Sequence, residues 1–539
     1  MAGSHDGAAA PPHRLDAIIV GAGFAGVYML HRLRQFGFKA LVLEAGGGVG
    51  GTWYWNRYPG ARCDVESMEY SYQFDDALQQ EWNWSERYAA QPEILRYAEH
   101  VADRFDLRRD IRFETRVTAA RFDEGVSLWG IETEGGDRLI ARFCIMATGC
   151  LSTFNTPSFP GGDAFRGERY HTGRWPHWPV SFAGKRVGVI GTGSSAIQSI
   201  PLIAEEAAHL TVFQRTPNYM VPAQNAPLDA ERQRAIKADY ATLRRRARQN
   251  RAGIDFTVNE KKALDVSPVE REREYEARWA RGGFHFYGCF ADLALDLGAN
   301  ETAQDFIRAK IRTTVRDPMV AAMLSPTNVF GCKRLCVDTG YWQTFNRPNV
   351  TLVDVAAEPI EALTPGGVKV GGRDYACDAL VFATGFDAMT GTLNRIDIAG
   401  RGGARLRDKW EDGPRTYLGL GVAGFPNFFT ITGPGSPSVL TNMLPTIEQH
   451  VEWIADCMSH IRARGLSRIE ATAEAEDAWV AHGAEVAEAT LRGTCSSWYL
   501  GTNIPGKPRV FMPYIGGFPA YVQKCEAVVA KGYEGFWLS

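Results

Sequence analysis

Two stretches of the chain carry the same order of apolar and polar positions. Asp16, Ala17, Ile18, Ile19 and Val20 form a short strand-type run, followed by Gly21, Ala22, Gly23 and Gly26. Val27, Leu30 and Leu33 then recur at helical spacing until Gly37, and Ala40 to Leu43 make a second apolar run ending at Glu44. The plan repeats later. A strand over 185–190 precedes Gly191, Thr192, Gly193, Ser194, Ser195 and Ala196, then a helix to about Ala208 and a strand over 210–214. Strand, glycine turn, helix and strand predict a parallel α/β unit. Its glycines let the backbone approach a pyrophosphate at the helix N-terminus. Two copies predict an α/β fold with two dinucleotide-binding (Rossmann-like) domains.

The residue closing each second strand separates the two sites. Glu44 suits ribose hydroxyls, whereas Arg215 after Gln214 suits a 2′-phosphate, which a carboxylate would repel. A second glycine loop, 46–51, is followed by Trp53, Tyr54, Trp55 and Tyr58, enough wall for a buried flavin. The first site is therefore expected to hold FAD and the second NADPH.

Between these units, 78–106 reads as helical and 111–135 as a β-meander. Apolar strands ending in Ala-Thr-Gly at 147–149 and 383–385 mark the exits from the two units. Residues 218–332 are charged and helical, with solvated charge runs, and read as a helical insertion in the NADP unit. The expected division is a flexible N-terminus over 1–14 and an FAD-binding domain over 15–150 and again over 389–539, where it completes the substrate pocket. The NADP-binding domain takes 151–217 and 333–388. In the last part, Gly433, Gly435, Ser436 and Pro437 open a helix, another place for backbone N–H groups to face a ligand. The stretch from Phe165 to Pro176 falls between the two nucleotide motifs. Its Gly167, His171, Trp175 and Pro176 suit a hinge better than a helix or strand.

Composition narrows the class. Lys plus Arg number 59 against 62 Asp plus Glu, a net charge of −3, which argues against nucleic-acid or membrane-surface partners. No stretch approaches the roughly 18–20 apolar residues of a membrane span, and 1–14 contains no apolar run of secretory type. The ten cysteines are scattered without a CxxC pair or zinc spacing, so reduced thiols, no metal and a cytoplasmic location are expected.

The segment Phe-x-Gly-x-x-x-His-x-x-x-Trp-Pro over 165–176, flanked by two GxGxx(G/A) motifs, resembles the fingerprint of type I Baeyer–Villiger monooxygenases. The run 51–64, Lys333 with Arg334 and the Gly-Pro-Gly-Ser-Pro loop are also similar to that family, nearest to its phenylacetone and steroid members. The resemblance implies an NADPH- and O2-dependent enzyme that turns ketones into esters or lactones through a C4a-peroxyflavin. It also implies sulfide oxidation, and a monomer or weak oligomer. An N- or S-oxygenating monooxygenase of the same superfamily is the alternative.

Carried over by residue, the resemblance implies that Arg334 and Asp64 are catalytic. Glu44, Thr52, Trp53, Tyr54, Trp55, Asp64, Tyr70, Val117 and Met443 surround FAD together with the first glycine motif. Arg62, Gly191 to Ser195, Gln198, Arg215, Thr216, Lys333, Arg334 and Trp498 meet NADP. Pro437, Ser438, Val439 and Leu440 wall the substrate pocket, and His171 couples domains rather than moving protons. Cys150 replaces the Gln of the nearest members at the pocket entrance.

Overall fold

The computed structural model describes residues 14–539. The N-terminal segment 1–13 lies outside the described residues, and Arg14 already belongs to the first strand, Arg14–Val20. Ile18 and Ile19 on that strand are fully buried, as expected of a central strand covered on both faces.

Two sheets organise the molecule. The first has eight strands; Arg14–Val20 pairs in parallel with Ala40–Leu43 on one side and Arg138–Met146 on the other. Val117–Asp123 and Leu128–Thr133 extend it antiparallel, and Phe428–Thr430 returns late in the sequence to pair with Arg138–Met146. The second sheet is all parallel, in the spatial order Val350–Asp354, His209–Gln214, Arg186–Ile190, Ala379–Phe382, Glu168–His171. Each glycine turn leaves the carboxyl end of a central strand and enters a helix, Phe24–Gln35 or Ser194–Glu206. That is where an open parallel sheet offers a crevice. Gly26 must stay a glycine, because a Cβ there would overlap the Gly21 carbonyl oxygen and push the helix off the strand. Among the described residues no helix is long and apolar enough to cross a membrane.

Three expectations need correction. Glu168–His171 is an edge strand rather than a hinge, paired in parallel register with Ala379–Phe382. Its polar residues hid it, since an edge strand buries only one side. The helical reading of 78–106 splits into Asp76–Glu81 and Gln91–Arg104. The cysteines are not all reduced: Cys332 is joined to Cys495, 163 residues away, while the other eight are free and buried. A partner that distant leaves no spacing signal in a single sequence.

The long helix Met443–Ala463 buries Glu448 against the first sheet's core, where it accepts backbone N–H groups of Gln73 and Phe74. Desolvation pushes this carboxyl up to about 7, although the Gln73 bond favours the anion. An acid raised this way contributes stability that is full below its unfolded value and lost as pH rises through the folded one. Glu448→Gln is expected to raise Tm at pH 8 and leave it nearly unchanged at pH 5, as thermal melts at the two values would read.

Candidate active site

The two glycine turns open into one cavity of about 1980 Å³ between the sheets. On the first-sheet side it is lined by Gly21, Gly23, Glu44, Thr52, Trp53, Trp55, Asp64, Tyr70, Val117 and Met443. Glu44 accepts hydrogen bonds from Ala22 N and Gly46 N, tying the two glycine loops together, and burial raises its carboxyl above the ordinary value. Ala22 and Gly26 stand behind the lining and shape it. Tyr54 does not face the cavity: its ring covers Gly46 and Gly48, and its hydroxyl accepts from Gly47 N at 3.0 Å. Consecutive residues of the one-turn helix Thr52–Trp55 cannot all point the same way.

On the second-sheet side the lining is Gly191 to Ser195, Gln198, Arg215, Thr216 and Lys333. Thr192 Oγ1 donates to Thr216 O at 2.7 Å, and Asn218 Nδ2 donates to Thr192 O at 2.7 Å, so the turn is braced from the strand beside it. Lys333 lies below its ordinary value because it is desolvated and because the Arg215 charge is near. Among the described residues neither cation has a carboxylate partner. Two unneutralised cations converging at the end of this strand suit a phosphate dianion. Ser497 Oγ and Asn503 Oδ1 also belong to lining residues and are buried without a partner, as groups built for a polar ligand would be.

Gln198 clasps the two sides. Its Oε1 accepts from Tyr58 Oη at 2.8 Å, and its Nε2 donates to Arg62 O at 3.1 Å. Gly60 (φ 78°) permits this approach, since a Cβ would strike the Gln198 carbonyl oxygen. Arg62 lines the cavity and pairs with Glu86 at 3.3 Å.

Arg334 and Asp64 meet where the two sides join. Arg334 Nε and Nη2 donate to the two carboxylate oxygens of Asp64 at 2.7 and 2.8 Å, and Nη1 donates to Val439 O at 2.7 Å. Burial would lower the guanidinium value, and Asp64's charge and hydrogen bonds outweigh it, holding Arg334 well above the ordinary range. Three of roughly five N–H groups are engaged, leaving the others for a ligand. The Phe284 ring lies 5.5 Å from the guanidinium carbon. Beside this pair Cys150, Met389, Val439, Tyr499 and Met512 form an apolar cluster, with Leu440 and Phe511 packed on it. Val439 reaches the cavity; Pro437, Ser438 and Leu440 stand behind it. Ser438 holds a left-handed backbone (φ 43°), with its hydroxyl donated to Thr432 O at 3.0 Å. Such strain concentrates at sites that need a fixed geometry.

The segment 165–176 does not touch the cavity through its motif side chains. Phe165 packs in the second sheet's core, and Trp175 stacks on Tyr170 at 5.2 Å. A Cβ at Gly167 would meet the Asp378 carbonyl oxygen. His171 Nδ1 accepts from Gly173 N at 2.9 Å, which leaves the proton on Nε2 facing Asn155 O at 3.1 Å. Burial lowers its value, so the ring is a neutral brace. Thr172 adds a hydroxyl contact to Ser195 at 3.0 Å, linking this strand to the second glycine turn. Sequence reasoning missed Asn155, Phe284, Ser497 and Asn503, none of which stands in a motif of its own, and it read Tyr58 as flavin wall without seeing its bond to Gln198.

The pyridine nucleotide-disulphide oxidoreductase family matches residues 18–263. A Baeyer–Villiger monooxygenase of Pseudooceanicola batsensis is 44% identical over 96% of this chain and 95% of its own. The phenazine N-monooxygenase PhzNO1 of Lysobacter antibioticus is 43% identical over 97% of each chain. Among solved structures, an oxidized steroid monooxygenase bound to NADP is 53% identical and superimposes with a TM-score of 0.93, covering 97% of this chain and 99% of that one.

Proposed function

The chain belongs to the Baeyer–Villiger monooxygenase family, and on that premise we propose that it uses FAD, NADPH and O2 to convert ketones into esters or lactones, with sulfides as secondary substrates. The observation that carries this reading is the Arg334–Asp64 pair, set between two nucleotide crevices and beside an apolar cluster. Bound flavin would supply hydride storage and oxygen activation, with NADPH as the hydride source.

The residues divide the remaining work. The first glycine turn, Glu44, Trp53, Trp55, Tyr70, Val117 and Met443 would hold FAD. The second turn, Thr216, Arg215, Lys333 and Trp498 would hold NADPH. Arg334 would point its unused N–H groups at the carbonyl oxygen as negative charge develops on it. A guanidinium suits that task because it stabilises an anion without surrendering a proton. Asp64 fixes the plane in which those N–H groups lie. Cys150 and Val439 give the cavity beside Arg334 an apolar wall, which favours apolar ketones.

Removing the guanidinium at Arg215 tests the nucleotide assignment. Arg215→Ala is expected to raise KM for NADPH roughly 10–100-fold, the loss of a charge-assisted hydrogen-bond set, with the constants for NADH little changed. An equal change for both nucleotides would remove the 2′-phosphate role.

A second reading, oxygenation of ring nitrogen, draws on the similarity to the phenazine N-monooxygenase. Supplying the holoenzyme with NADPH, labelled O2 and either a cyclic or aryl ketone, a thioether or a phenazine separates the two. Labelled ester or lactone from the ketone supports the proposal. N-oxide formation with the ketone untouched replaces it.

A further inference from the structure

We propose that Cys332 and Cys495 form a reversible thiol–disulfide site that controls how firmly the chain holds its pyridine nucleotide. This rests on the reading that the cavity binds NADP. The bond joins two segments that each carry cavity residues. Cys332 directly precedes Lys333 and Arg334, and Cys495 directly precedes Ser496, Ser497 and Trp498.

Beyond Trp498 the chain is anchored by the buried Tyr499, Leu500, Met512 and Tyr514, but the stretch 489–497 ahead of it has little else to fix it. From the end of the helix Ala473–Glu488 to the start of Phe518–Ala530 the chain makes only two single 3-10 turns, Leu491–Gly493 and Trp498–Leu500. Its ties are few and individually weak. Leu491 N donates to Ala294 O at 2.9 Å and Gly493 O accepts from Arg509 Nη2 at 2.8 Å, while farther along Asn503 Nδ2 donates to Phe386 O and Lys507 Nζ to Asp387 Oδ1, both at 2.7 Å. Arg492 lies over the Tyr287 ring at 5.4 Å, and the Tyr287 hydroxyl accepts from Leu335 N at 3.2 Å. The same short turn is thus linked to the 332–335 strip twice, once through Tyr287 and once covalently. Each non-covalent tie of 489–497 contributes about 1 kcal/mol, so the covalent one dominates the ordering of that stretch.

Access to the two sulfurs is unequal. Cys332 is fully buried, with Asn328 Nδ2 3.2 Å from its sulfur, while Cys495 is only half-buried beside the exposed Thr494 and Ser496. A thiolate of a dithiol reductant would attack Cys495 Sγ, forming a mixed disulfide and expelling Cys332 as the thiol. Its second thiolate then displaces Cys495. The reductant leaves as a disulfide, having passed two electrons and two protons to the protein. Disulfides in reducing compartments act as transient sensors rather than fixed staples, and opening this one would part the strip that leads into Ser497 and Trp498 from the strip that leads into Lys333.

The test uses the FAD-loaded enzyme before and after anaerobic dithiothreitol, with Cys495→Ser and Cys332→Ser in parallel. Thiol titration in denaturant should count eight before treatment and ten after. The Kd for NADP+ should rise roughly tenfold on reduction, within the usual range of coupling between sites, and both Ser variants should show the weak value with no response to dithiothreitol. Trypsin should cut after Arg492 or Arg509 faster in the reduced form. Ten thiols before treatment, even after incubation with oxidised dithiothreitol, would overturn the proposal. So would unchanged affinity and cleavage once ten are counted. If neither form binds NADP+, the nucleotide reading fails, and the trypsin rates still decide the tether. Should one Ser variant fail to fold, the treated wild-type chain carries the comparison.

Discussion

Arg334→Ala is expected to lower ketone oxygenation by roughly 10²–10³-fold, or about 3–4 kcal/mol, the usual loss when one preorganised donor to a developing oxyanion is removed. NADPH oxidation should continue, with the reducing equivalents appearing as hydrogen peroxide instead of ester. The reason lies in the hydrogen-bond count. Asp64 and the Val439 carbonyl engage three N–H groups of the guanidinium, which also lines the cavity. Arg334→Lys should recover only a small part of the activity. An ammonium keeps the charge but cannot meet both Asp64 oxygens and a ligand in one plane. The measurement is the ratio of product formed to NADPH consumed. Product formation near the wild-type rate in Arg334→Ala would remove Arg334 from the chemistry.

Much of this architecture is legible in the sequence because its signals are local. The turns at Gly21 and Gly191 each announce a strand, a helix and a second strand within one short window, and the structure builds both into parallel sheets. The contrast between Glu44 and Arg215 is likewise readable at one position of a repeated motif. What is non-local is not readable that way. Arg334 and Asp64 are 270 residues apart, and only family resemblance pointed to their pairing. Cys332 and Cys495 carry no motif, and the chain's late return brings them together. Tyr54 shows a smaller limit. A run of aromatics signals a wall but not which faces of a one-turn helix will point inward. His171 shows another, since a polar tetrapeptide becomes a strand only because Ala379–Phe382 offers it an edge.

Asp64 supplies the second large effect. Asp64→Ala would leave Arg334 without its carboxylate partner, held by the Val439 carbonyl, in a site where the two side chains are 20% and 25% exposed. Removing one partner of a fully buried pair costs about 3–5 kcal/mol, and partial exposure reduces that here. The expected outcome is a fold that survives and ketone oxygenation lowered by roughly 10²-fold, from a guanidinium free to swing out of register. Asp64→Asn separates charge from position. The amide keeps the shape but offers one acceptor oxygen where two were used, so its loss should be smaller. If Asp64 acts only by positioning Arg334, Asp64→Ala combined with Arg334→Ala should be no slower than Arg334→Ala alone. Multiplicative losses in the double variant would mean that Asp64 touches the reacting atoms itself.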